Sequence, residues 1–70
     1  MALEYKVVVL NGLEFVLGNK YRDTVLGTEG IAVAGAAYLS GGDQIQLAWS
    51  GTLGEANHQW YDATRVEPVD

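Results

Sequence analysis

Two short apolar runs flank Asn11-Gly12 near the start of the chain. Tyr5 to Leu10 (YKVVVL) is rich in β-branched residues, and Leu13 to Leu17 (LEFVL) answers it. Asn-Gly between such runs signals a hairpin, because a type I′ turn needs positive φ at both central residues. A two-residue loop puts Leu10 opposite Leu13, Val8 opposite Phe15 and Lys6 opposite Leu17 on one face. On the other face it puts Val9 opposite Glu14 and Val7 opposite Val16. A hairpin with one solvated face alternates apolar and polar residues more strictly. Here both faces are largely apolar. The pattern therefore predicts that both are covered, either by the rest of the domain or by another subunit.

Further turn signals divide the remainder. Gly18-Asn19 is followed by an alternating stretch, with Tyr21, Asp23 and Val25 on one side and Lys20, Arg22 and Thr24 on the other. Leu26 to Gly30 reads as a loop. Ile31 to Leu39 is composed of small and β-branched residues. Alanine favours a helix there, but Ile31, Val33 and Gly35 oppose one and no cap is visible, which predicts a bent strand with close neighbours. Ser40 to Asp43 reads as a tight turn. Gln44 to Trp49 alternates strictly, with Ile45, Leu47 and Trp49 inward. Ser50 to Asn57 is expected to be the longest loop and His58 to Tyr61 a short strand. Asp62 is expected to cap a single helical turn, and Val66 to end a last strand before Pro68. Five or six short strands with an N-terminal β-hairpin and a helical turn near the end predict an all-β fold, a small SH3-like barrel forming a single domain over residues 1–70.

Composition narrows the options. A chain of 70 residues has a marginal core, and small folds of this size usually need a disulfide, a metal or a partner. With no cysteine and a single histidine, His58, neither a disulfide nor a zinc site is expected, which favours packing or a homo-oligomer. No cofactor is implied. The net charge of −5, with Lys6, Lys20, Arg22 and Arg65 dispersed, lacks the basic patch that nucleic-acid binding requires. No apolar run approaches the length of a membrane span or of a signal-peptide core, so the expected location is the cytoplasm.

The runs Lys20-Tyr21-Arg22-Asp23, Gly27-Thr28-Glu29-Gly30-Ile31-Ala32 and Ala37-Tyr38-Leu39-Ser40-Gly41, with the later Trp60-Tyr61-Asp62 and Arg65-Val66-Glu67, resemble a family of short proteins from phages, prophages and other bacterial mobile elements. The likeness covers about two thirds of the chain. Leu26 stands where threonine is usual, Thr28 and Tyr61 where phenylalanine is usual, and Gly42 where cysteine is usual; the opening hairpin, Leu3–Leu17, is longer than the usual start. The resemblance implies a shared fold and a bacterial host cell. The family carries no established activity, so it transfers no functional residue.

Chemistry-bearing residues are few. Ser40 and Ser50 lie beside turn glycines, outside any nucleophile-elbow context, and Asp62 or Asp43 would be the acid to contact His58, which the sequence does not place. Asp23, Glu29 and Asp43 occupy positions where acids bond local backbone N–H groups. Gly27-Thr28-Glu29-Gly30 lacks the lysine, spacing and helix of a phosphate loop. Aromatic residues are the better candidates. Tyr38, Trp49, Trp60 and Tyr61 lie near strand ends, and Trp60 and Tyr61, being adjacent, point to opposite faces of a strand. The sequence thus predicts a non-enzymatic, self-associating protein-interaction module that meets a host or phage protein. Tyr38, Trp49, Trp60 and Tyr61 would form its binding flank, with Arg22 and Arg65 as polar anchors and the N-terminal hairpin as the self-association surface. The alternative expectation is a protein that binds or sequesters a small nucleotide and counters host defence, stacking it on the aromatics and holding its phosphate by arginine. A hydrolase using His58 is a weaker third reading.

Overall fold

The computed structural model describes residues 6–69. Tyr5, expected to open the first strand, lies outside them. The fold is all-β, as expected: β1 (Lys6–Leu10), β2 (Leu13–Leu17), β3 (Lys20–Asp23), β4 (Glu29–Ala36), β5 (Gln44–Ser50), β6 (Ala56–Asp62) and β7 (Val66–Pro68), with a 3-10 turn at Ala63–Arg65 before β7. β1 and β2 form a separate hairpin, while the other strands form one antiparallel sheet in the order β6-β5-β4-β3-β7. This sheet does not close into a barrel; among the described residues β6 and β7 are its two free edges.

The hairpin has the register that its sequence predicts, from Lys6 opposite Leu17 to Leu10 opposite Leu13. Asn11 and Gly12 both have positive φ, 51° and 75°, as a type I′ turn requires. Its inner face lies over the large sheet. Leu10 and Phe15 join Tyr21, Ala32, Ile45, Leu47, Tyr61, Ala63 and Val66 in one core. Phe15 and Tyr21 pack with tilted rings, centroids 5.3 Å apart, and the Tyr21 hydroxyl accepts a hydrogen bond from the Val16 N–H at 2.9 Å. The end of β2 is bonded to β4 through Gly18 N–H to Ala32 O (2.8 Å) and Ala32 N–H to Asn19 O (2.9 Å).

Several element boundaries differ from those expected. β4 begins at Glu29 and ends at Ala36, so residues 37–43 form the longest connection. A bulge between Ala32 and Ala34 leaves Val33 unpaired and bends the strand. β5 ends at Ser50 and β6 begins at Ala56, so the expected loop from Ser50 to Asn57 shortens to residues 51–55, with Ser50, Ala56 and Asn57 in the strands. Cross-strand pairing along the whole of β5 overrides the weak strand propensity of Ala56, Asn57 and Asp62. Val66 begins the last strand instead of ending it, because the 3-10 turn delivers it opposite Asp23. Asp62 caps that turn as expected, accepting from the Thr64 N–H at 2.9 Å.

Candidate interaction surface

Register decides which side chains share a surface, since directly opposed residues point to the same face. On the outer face of the large sheet, away from the hairpin, one row runs His58, Ala48, Ile31, Lys20 across β6, β5, β4 and β3. A second row runs Trp60, Gln46, Ala34. Trp60 is 41% exposed and Ile31 40%. This face sets Trp60, Ile31, Ala34 and Ala48 among the polar His58 and Gln46, with the Lys20–Glu29 ion pair (3.1 Å) and the Arg22–Glu67 pair at the β3 side. His58 sits on the edge strand and its Nδ1 is 2.9 Å from Gln46 Nε2; the two acids considered for it, Asp62 and Asp43, bond other groups. Ile31 gives no sequence signal of this placement, because its exposure follows from the parity of β4 before the bulge.

The six residues picked out by sequence are not brought together. Trp60 and Tyr61 do face opposite sides, and Tyr61 is the inner one, 4% exposed in the core with almost no surface to offer. Trp49 is half-buried against the same core from the inner face, at the end of β5 next to residues 51–55. Tyr38 is exposed in the connection at the opposite end of β5.

Both arginines are engaged by carboxylates. Arg65 holds Asp23 with two bonds, Nε to Oδ1 at 3.1 Å and Nη2 to Oδ2 at 3.0 Å, while Asp23 Oδ2 also accepts from the Leu26 N–H at 2.7 Å. Burial of Asp23 opposes its ionisation, but the Leu26 N–H and the Arg65 guanidinium outweigh that and hold its carboxyl below the usual range. Arg22 bonds Glu67 through Nε at 3.2 Å and through Nη2; this bond and the Glu67 charge raise its pKa above the ordinary value.

The hairpin presents a second apolar surface. Val7 and Val9, on its outer face, are 52% and 59% exposed, and Val16 beside them is half-buried. Within the described residues nothing covers this face. Between β2 and β7 lies a groove of about 200 Å³ lined by Leu13, Phe15, Tyr21, Val66 and Pro68, with Glu14 and Glu67 at its rim. None of the predicted site residues lines it.

Among the described residues no group of three or more His, Asp or Glu side chains is placed to hold a metal ion, and no helix is long and apolar enough to cross a membrane. Compared with known proteins, the chain matches no family model, no curated protein and no solved structure.

Proposed function

We propose that this chain is a non-enzymatic protein-interaction module that self-associates through the outer face of its N-terminal hairpin. The observation that carries the reading is that face: Val7 and Val9 are apolar, adjacent across the strand pleat and more than half exposed. Water contact with such a stripe is unfavourable by about 25 cal/mol per Å² of apolar surface, and a second subunit removes it. A host or phage protein would meet the outer sheet face around Trp60 and Ile31, with Tyr38 as a separate contact. The strand order, with a 3-10 turn delivering β7 to β3, supports an SH3-like reading of the sheet. The family likeness noted above supports a phage or mobile-element origin and a place in the bacterial cytoplasm.

The geometry favours this over sequestration of a nucleotide, because Arg22 and Arg65 are both paired with carboxylates and Tyr38, Trp49 and Trp60 are dispersed. It also favours it over hydrolysis, since His58 bonds an amide side chain.

Sedimentation velocity tests the hairpin surface. The wild-type chain should exceed monomer mass at high concentration, and Val9→Lys should lower that mass while preserving the β-sheet circular dichroism. A Val9→Lys variant with unchanged association would sink the hairpin reading.

A further inference from the structure

We propose that the free edge of β6 pairs antiparallel with the β6 edge of a second copy of this chain, about a two-fold axis at Gln59. This contact is separate from the hairpin face and goes beyond it.

The β6 edge leaves a defined set of backbone groups open. Gly51 donates to the Glu55 carbonyl at 2.8 Å, directly across the β5–β6 connection. Bonded and non-bonded pairs alternate along an antiparallel ladder. Trp49–Asn57, Leu47–Gln59 and Ile45–Tyr61 are therefore the bonded pairs, and the N–H and C=O groups of Ala56, His58 and Trp60 point away from β5. These outward groups have no backbone partner among the described residues.

Natural sheet edges are normally blunted by lysine, proline, a bulge or short length. β7, the other edge of this sheet, follows that rule: it has three residues, Pro68 lacks a donor, and the Val66 N–H is already bonded to Ala63 O. β6 breaks the rule. It is seven residues long, its pairing with β5 is unbroken, and it contains neither lysine nor proline.

Self-complementarity selects the occupant. With Gln59 on the axis, His58 of each copy lies opposite Trp60 of the other and exchanges both backbone bonds with it. Asn57 lies opposite Tyr61, and Ala56 opposite Asp62. Each imidazole then meets an indole on the outer face, a favourable cross-strand pair, and no two like charges are opposed. A chain of net charge −5 repels its copies, yet Asp62 is the only acid on β6 and in this register it faces alanine. The neutral run from Ala56 to Tyr61 offers no counter-charge to a strongly charged partner, whereas its own copy needs none. The resulting symmetric dimer would continue the sheet from one subunit into the next.

The absence of cysteine makes the register directly testable. Gln59→Cys places two thiols in a non-hydrogen-bonded pair with Cα atoms about 4.5 Å apart, inside the range that a disulfide accepts. Ala56→Cys, on the same exposed strand, places them about 20 Å apart. Under mild oxidation the Gln59→Cys chain should form a disulfide dimer at least about tenfold faster than the Ala56→Cys chain. Equal rates, or no dimer from Gln59→Cys, would overturn the proposal. In the Val9→Lys background, where the hairpin contact is removed, His58→Pro takes away an outward N–H that its own sheet does not use, so it should keep the fold and lose the remaining dimer; a dimer as strong as that of Val9→Lys alone also overturns the proposal. Combining Val9→Lys with Gln59→Cys should leave the cross-linking rate unchanged, so the hairpin contact and the edge contact stand or fall separately.

Discussion

A Cβ added at Gly30 would lie 2.8 Å from the Ala48 carbonyl oxygen and 3.2 Å from Leu47 Cβ, neither of which can move without shifting β5. Gly35 is different. There an added Cβ meets the ends of the Leu10 and Val8 side chains at 3.1 and 3.2 Å. These two glycines are where β4 accepts close neighbours, a strand beside it at one end and the hairpin above it at the other. Gly30→Ala should destabilise the fold by about 1–3 kcal/mol, as overpacking against an unyielding neighbour does, and Gly35→Ala by less. Urea unfolding of the two variants checks this, and an equal loss would count against the distinction. Asp43 works at the same scale. Its carboxylate accepts from the Tyr38 N–H and the Asn11 N–H, both at 2.9 Å, and its carbonyl accepts from the Ala63 N–H at 3.0 Å. One residue thus ties the hairpin turn, the β4–β5 connection and the 3-10 turn together. The placement of Asp43 in a turn was readable in sequence, as was its use of local backbone donors. The bond to Asn11 was not, because it joins residues far apart in the chain.

At the scale of elements, the hairpin is the part whose sequence and structure agree most fully. Its turn needs two positive φ values, and Asn-Gly supplies them locally; its register then follows from loop length alone. Gly12→Val forces a β-branched residue into the left-handed region and should destabilise the protein by about 1–2 kcal/mol. Because Leu10 and Phe15 belong to the common core, the loss should appear in the global melting transition. A separate early transition of the hairpin alone would contradict this. β6 agrees less fully. His58 to Tyr61 was expected as a short strand, but Ala56, Asn57 and Asp62 give little strand signal, and the strand extends over them because β5 pairs with it along its full length. The bulge at Val33 is likewise invisible in sequence, although it sets which β4 side chains reach the outer face.

For the whole molecule, the acids set how stability depends on pH. Asp43 is held below the usual carboxylate range chiefly by the Tyr38 and Asn11 N–H groups, and Asp62 by the Thr64 hydroxyl and N–H. In Asp23, burial acts the other way but is outweighed by the Leu26 N–H and Arg65. A carboxyl whose folded pKa lies below its unfolded value stabilises the fold fully above the unfolded value, near 4, and the stabilisation is lost as pH falls through the folded value. The urea midpoint should therefore drop between about pH 6 and about pH 2.5, and the drop should shrink in Asp43→Asn. A midpoint that stays level over this range would remove these carboxylates from the account. The all-β class, the hairpin with its register, the Asp62 cap and the inward set Ile45, Leu47 and Trp49 came from sequence, because each depends on local backbone preference or on the two-residue period of a strand. Tertiary structure alone decided the strand order and the open sheet. It also put Tyr61 in the core with Trp60 outside, paired Arg65 with Asp23 and left the β6 edge bare. These depend on which distant residues meet, and a period-two pattern says which face a side chain takes but not what lies across from it.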